Sequence, residues 1–315
     1  MPADKSFERD RIPFRVSPML ATLVREPFHA PGWIYEEKYD GYRILAYKEG
    51  DRVTLLSRNG NDRTATYASV ARAIQQLRIP AVLLDGEVVA FDRRHISRFQ
   101  LLQVDRSAAT YAVFDCLYTP GRDLRAESLA IRRAAAESAI DNMKSLMLSR
   151  RLPDNGLQAY KIAKRKGYEG LLAKDLSSPY IEGRSSKWLK VKVHQEEEMV
   201  IAGFTKPEGS RHYFGALLLG AYEHGKLRYV GKVGTGFSDD ILASLHRKFK
   251  ALVAPKSAFV DPPREKDVTY LRPKLVAQIS FQEWTSDRKL RQPVFLGLRD
   301  DKRPEEVQLP AKGTV

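Results

Sequence analysis

Between residues 33 and 56 the chain alternates in short aromatic and β-branched stretches, broken at Asp40-Gly41 and Glu49-Gly50-Asp51. That pattern predicts strand, turn, strand, turn, strand. From 67 to 78 the period lengthens, with Val70, Ile74 and Leu77 on one face, and a helix is expected. Strand-like runs follow at 81–84, 88–91 and 111–117, with a tight turn expected at Asp85-Gly86 between the first two. The segment 127–140 reads as an amphipathic helix with its arginines and glutamates toward water. Another helix is expected over 155–166, ending near Gly167, and then strands at 170–174 and 188–193. Charge clusters at Glu196-Glu197-Glu198, and the boundary between two domains is placed beside it, near His194. Beyond it the pattern is mostly β, at 199–205, 213–222, 227–233, 275–284 and 294–298, with one helix over 239–252. Strands in that number around a single inserted helix suit a small OB-type barrel. The expected organisation is a flexible tail over 1–17, a first domain over 18–194 and a second over 195–315.

Composition narrows the partner. Lys and Arg number 53 against 39 Asp and Glu, a net charge of +14 that favours a polyanion, with nucleic acid the first candidate. A merely solvated basic surface is the competing explanation. The single cysteine, Cys116, excludes an intramolecular disulfide framework and cysteine-based zinc fingers, and its apolar neighbours suggest a buried structural thiol. No signal-peptide stretch and no membrane-length apolar segment is present, so a soluble, cytoplasmic, nucleoid-associated protein with no membrane partner is expected.

Chemistry concentrates in the run Glu36-Glu37-Lys38-Tyr39-Asp40-Gly41-Tyr42-Arg43. A lysine becomes a nucleophile once its ammonium loses a proton. Asp40 can bring a divalent cation close to that amine, Gly41 lets the backbone approach a ligand, and Arg43 offers a planar fork to ribose or phosphate oxygens. Further along stand Ser57-Arg58-Asn59-Gly60, Asp85-Gly86-Glu87 and Tyr111-Ala112-Val113-Phe114-Asp115. Then come Tyr168-Glu169-Gly170-Leu171-Leu172-Ala173-Lys174 and Trp188-Leu189-Lys190-Val191-Lys192, and finally a charged segment containing Arg299, Asp301 and Lys302. Each has an ordinary structural explanation when taken alone. Glu87 could end a hairpin, Phe114 could be core, and Lys190 and Lys192 could be a solvated pair on one strand face.

Taken together and in this order, these segments resemble motifs I, Ia, III, IIIa, IV, V and VI of the covalent nucleotidyltransferases: ATP-dependent DNA ligases, RNA ligases and capping enzymes. The resemblance runs from Pro18 to Lys302. The stretches Ser178-Pro179-Tyr180-Ile181-Glu182-Gly183-Arg184-Ser185 and Phe281-Gln282-Glu283-Trp284-Thr285 are similar to the ligase module of bacterial end-joining DNA ligases. The resemblance implies an α+β fold: an ATP-grasp-like nucleotidyltransferase domain of antiparallel sheets with flanking helices, followed by an OB-fold β-barrel.

It also implies a reaction. Lys38 would attack the α-phosphate of ATP to give a covalent lysyl-AMP, AMP would pass to the 5′-phosphate of a nick, and the 3′-hydroxyl would displace it. Phe114 would stack on adenine near Glu36, Arg43 and Glu87 would hold the ribose, and Arg58 would approach the 5′-phosphate. Asp40 and Glu169 would hold Mg²⁺ or Mn²⁺. Lys174, Lys190 and Lys192 would meet phosphate, and Arg299, Asp301 and Lys302 would serve the triphosphate from the OB domain, swinging on a joint over 194–198. Glu37 departs from the family's usual uncharged residue, and strand alternation should point it away from Lys38. Expected partners are nicked or broken duplex DNA and a Ku-type end-binding protein, with the chain acting as a monomer. An RNA ligase, a GTP-using capping enzyme and a non-catalytic DNA-binding OB protein are the alternatives. A strict need for RNA ends, GTP-specific labelling, or indifference to Lys38→Ala would respectively favour them.

Overall fold

The computed structural model describes residues 12–140, 145–193, 195–207, 209 and 211–310, and divides the chain between Val193 and His194 into two units, each built around its own core. In chain order the first unit runs β1 (Met19–Leu23), β2 (Trp33–Lys38), β3 (Tyr42–Glu49), β4 (Arg52–Ser57), α1 (Ala68–Gln75), β5 (Ala81–Val89), α2 (Phe99–Val104), β6 (Thr110–Thr119), β7 (Arg122–Asp123), α3 (Leu129–Ala139), β8 (Leu146–Leu148), α4 (Gly156–Lys166), β9 (Gly170–Asp175) and β10 (Gly183–Lys192). Among the described residues these strands form a sheet of order β1-β10-β9-β2 and another of order β4-β3-β5-β6-β7, with β8 parallel to β6.

Ile34, Met19 and Trp188 of the first sheet and Leu45, Leu83 and Phe114 of the second share one buried cluster, so the sheets pack face to face. The far face of the second sheet is covered by Val70 and Ile74 of α1 and Ala136 of α3, and the far face of the first by Ala159 and Ala163 of α4. The unit is therefore layered as helix, sheet, sheet, helix.

Several expectations are corrected here. Asp85-Gly86 is no turn: it lies inside the continuous strand β5, where the pairing with β6 shifts register. The arginines of α3 do not face water. Arg132 is fully buried and Arg133 nearly so, because Leu129, Arg132, Arg133 and Ala136 fall at i, i+3, i+4 and i+7 and turn inward together. Of the tail expected over 1–17, residues 1–11 lie outside the described residues. Within residues 12–17 Val16 is buried, its N–H donating to Tyr47 Oη at 3.1 Å, while the exposed Phe14 lies edge-on to Tyr47.

The second unit runs β11 (Gln195–Thr205), β12 (Leu217–Glu223), β13 (Lys226–Val233), α5 (Asp239–Lys250), β14 (Val268–Phe281), β15 (Glu283–Trp284), β16 (Leu290–Arg291) and β17 (Val294–Leu298). An antiparallel sheet of order β13-β12-β11-β14-β17 curls around a core to which α5 contributes Leu242, Leu245 and Phe249, giving an OB fold. Of the joint expected over 194–198, His194 lies outside the described residues. Residues 195–198 are strand instead, paired with Phe281 to Gln278 of β14.

Candidate active site

The register of the first sheet explains which lysines meet. Lys38 stands opposite Gly170, and Gly170 opposite Lys192; Glu36 stands opposite Leu172, and Leu172 opposite Lys190. Residues opposite one another in a ladder point to the same face, so Glu36, Lys38, Lys190 and Lys192 share the face turned toward the second sheet. Gly170 keeps the middle of this row free of a side chain, and a Cβ there would lie 2.2 Å from the Val191 carbonyl oxygen. On the facing sheet Arg43 is opposite Glu87. The apolar contact between the sheets thus ends in a polar rim carrying Lys38, Arg43, Glu87, Lys190 and Lys192.

Lys38, at the end of β2, is ion-paired with Glu169 and mostly buried. Burial works to lower its pKa, but the Glu169 carboxylate, helped by Asp40 and Glu87, outweighs burial and raises it. The resting amine is therefore a held ammonium. Asp40 is buried and its Oδ2 accepts the Phe99 N–H at 3.0 Å, capping α2 with one oxygen. Gly41 serves the fold: a Cβ there would sit 2.2 Å from the Val88 carbonyl oxygen, so the absence of a side chain lets the backbone approach β5 closely. Among the described residues no three His, Cys, Asp or Glu side chains converge as metal ligands. The donor set near Lys38 is all oxygen, from Glu169 and Asp40, which suits a hard cation that keeps water or phosphate oxygens.

Arg43 is held by a residue the sequence pattern did not single out. Its Nε and Nη2 lie 2.5 and 2.6 Å from the carboxylate of fully buried Asp85, which also accepts from Tyr180 Oη at 2.6 Å. The Asp85 charge overcomes burial and raises the Arg43 pKa further. The Arg43 guanidinium carbon is 4.4 Å from the Phe114 ring centroid, and Lys174 Nζ is 4.2 Å from the rings of both Phe114 and Trp188. Phe114 is thus buried under cations, and a stacked purine requires one of them to withdraw. Lys174, expected to meet phosphate, is fully buried with its Nζ 2.7 Å from Glu36, and burial lowers its pKa against the pull of that carboxylate. The other Glu36 oxygen takes Arg133, which also binds Ser149.

Arg58 is half-buried in the turn after β4, closed by the Gly60 N–H donating to Ser57 O at 2.8 Å. In the second unit Arg299 makes a two-pronged pair with Asp301 at 2.8 and 2.8 Å, and Lys302 lies 3.2 Å from Glu198. Burial would raise the Asp301 carboxyl, but Arg299 prevails and holds it below the usual range. Glu37 does point away from Lys38, toward Arg150 at 2.5 Å, and burial pushes its pKa up to about 7.

Asp85, Arg132, Arg133 and Asp115 were missed as a buried charged frame. Arg132 pairs with Asp115 at 2.8 and 2.9 Å and with the carbonyls of Glu127 and Ser178. The available signal was the helical spacing of Arg132 and Arg133 with Leu129 and Ala136.

The profile described as ATP dependent DNA ligase domain matches residues 18–192, and that described as ATP dependent DNA ligase C terminal region matches 210–302. The chain belongs to the ATP-dependent DNA ligase family. Its two units are the family's nucleotidyltransferase and OB folds, and membership implies ATP as the nucleotide and a divalent metal. The chain is 37% identical to the multifunctional non-homologous end joining protein LigD of Pseudomonas aeruginosa, over 96% of its own length and 38% of that protein's. It therefore spans about two fifths of such end-joining relatives. DNA ligase C1 of Mycolicibacterium smegmatis is 30% identical, with 92% of this chain and 91% of that protein covered. The solved mycobacterial DNA ligase D complexed with ATP and MES superposes with a TM-score of 0.72 at 35% identity, covering 95% of this chain and all of that one. Among the described residues no helix is long and apolar enough to cross a membrane.

Proposed function

We propose that this chain seals 5′-phosphate/3′-hydroxyl nicks or breaks in duplex DNA through a lysyl-AMP on Lys38 and a DNA-adenylate, in repair or end joining. The observation that carries the reading is the row Lys38, Gly170, Lys192 with Glu169 against the amine. In the first step the Lys38 ammonium loses a proton to solvent, the Nζ–Pα bond forms as the Pα–O bond to pyrophosphate breaks, and the nitrogen's second proton passes to solvent or to the departing pyrophosphate. Glu169 must release the ammonium for attack, because its carboxylate favours the protonated form. Lys190 and Lys192, on the same face, neutralise the transferring phosphoryl group.

Residues 18–194 act as the adenylation domain and 195–315 as the OB domain. Arg43 and Glu87 hold the ribose, and Phe114 takes the adenine beside Glu36 and Lys174 once Arg43 or Lys174 moves aside. Arg58 serves the DNA 5′-phosphate, and Arg299, Asp301 and Lys302 the triphosphate. Asp40 and Glu169 would hold Mg²⁺ or Mn²⁺, which would supply charge stabilisation to the phosphates. The chain works as a monomer in the cytoplasm, on the nucleoid. Similarity to end-joining relatives supports recruitment by a Ku-type protein, and joining of linear DNA that is unchanged when Ku is added would refute that part.

The test of the reaction is labelling with ATP or GTP carrying a radioactive α-phosphate, for wild type and Lys38→Ala, followed by a chase with nicked duplex. Label from ATP on wild type alone, discharged as the nick is sealed, is the expected result. No label on freshly deadenylated protein with metal present would leave a DNA-binding protein.

A further inference from the structure

Arg150 belongs to none of the motifs and touches neither Lys38 nor Glu169. It lies in the segment 149–152, which runs along the otherwise open edge of β2. The Glu37 N–H donates to Arg150 O at 3.1 Å, the Leu152 N–H to Tyr35 O at 2.8 Å, and Glu36 bridges Arg151. Ser149 anchors the segment to β6 through its own N–H, 2.6 Å from Val113 O, and binds the Arg133 that holds Glu36.

The contacts of Arg150 itself surround the nucleophile. Its Nη1 is 2.5 Å from Glu37 Oε2 and 3.0 Å from Tyr168 Oη, and its backbone N–H donates to Tyr39 Oη at 2.8 Å. Glu37 and Tyr39 are the two residues flanking Lys38, and Tyr168 immediately precedes Glu169. One arginine on the helix-covered face of the sheet thus fixes the chain on both sides of the lysine and just before its carboxylate partner. Among the described residues Lys38 ends an edge strand paired with β9, and the 149–152 segment restrains the backbone on the strand's other side.

We propose that Arg150 is a positioning residue for Lys38, holding the nucleophile and Glu169 in register from the opposite face of the sheet, so that lysyl-AMP formation depends on it. This rests on the adenylation reading above. The competing explanation is that Arg150 only neutralises buried Glu37. Removing both groups separates the two, since it leaves no unpaired buried charge yet still cuts the tether.

The experiment measures the rate of lysyl-AMP formation, the KM for ATP, Tm, and sealing of a nick that already carries a 5′-adenylate. The proteins compared are wild type, Arg150→Met/Glu37→Gln and Tyr168→Phe. A nucleophile misplaced by about 1 Å loses on the order of a hundredfold in rate. The double variant should recover or keep Tm yet form lysyl-AMP about 10- to 100-fold more slowly, with KM for ATP within about twofold. Tyr168→Phe removes one tether without burying a charge and should be about three- to tenfold slower. Sealing of the pre-adenylated nick, in which Lys38 is not the attacking group, should stay within about threefold of wild type. A wild-type rate in the double variant or in Tyr168→Phe overturns the proposal, and so does an equal loss of both reactions. If the double variant does not fold, Tyr168→Phe alone decides. Wild type that takes no label at all would instead overturn the adenylation reading.

Discussion

Glu37 and Lys38 are neighbours in sequence, yet they sit in opposite chemical worlds because strand alternation sends one to each face. The carboxyl of Glu37 is buried, and that burial raises its pKa from 4.5 to about 7, against the opposing pull of Arg150. Between those values the folded protein keeps a proton that the unfolded chain has lost, so unfolding free energy falls as pH rises through this window. The contribution is fully present below about pH 4.5, and the loss by pH 8 is of order 3 kcal/mol. Glu37→Gln cannot titrate. Its stability relative to wild type should therefore increase steadily from pH 5 to pH 8 in parallel urea denaturation series. Two parallel stability-versus-pH curves would show that Glu37 does not titrate there. The same residue scale explains why Arg132 and Asp115 escaped a reading of the sequence. A buried arginine and an exposed one have the same letter, and only the partner, 17 positions away and fully enclosed, tells them apart.

At the scale of elements, the site depends on how closely β9 can run between β2 and β10. Gly170→Ala would place a methyl 2.2 Å from the backbone oxygen of Val191, where no flexible side chain can yield. The strands must part locally, at a cost of roughly 1–3 kcal/mol. Denaturation should show that loss, and labelling of Lys38 should fall with it because Lys38 and Lys192 flank this residue. Unchanged stability and labelling would mean the ladder opens without consequence. Helices α1 and α4 were legible from their periodicity, and α4 runs as expected between Asn155 and Gly167. The break expected at Asp85-Gly86 was not there. The turn propensity of that dipeptide is a local preference, and pairing on both sides by β3 and β6 overrides it.

For the whole molecule, the net charge of +14 sets the long-range behaviour toward DNA. Binding to a nicked duplex should release counterions, so the logarithm of the association constant should fall linearly with that of salt concentration. With about six or more phosphate contacts, affinity should drop on the order of a thousandfold between 50 and 200 mM salt. Measured anisotropy titrations with a shallow slope would mean that the basic residues lie away from the DNA path. Ion pairs such as Arg299 with Asp301 and Lys302 with Glu198 tie up individual side chains but leave that excess unchanged, since each removes one charge of either sign.

The sequence by itself determined the order and spacing of the motifs, the alternation that puts Lys190 and Lys192 on one face, the two-unit plan and the family. These are properties of local period and residue type, and they survive without knowledge of what packs against what. Only the tertiary structure decided which charges find each other: Lys38 with Glu169, Arg43 with Asp85, Lys174 with Glu36, and Arg150 with Glu37 and Tyr168. Such pairs join strands and loops far apart in the chain. Their strength comes from exclusion of water, which depends on burial that no single segment encodes.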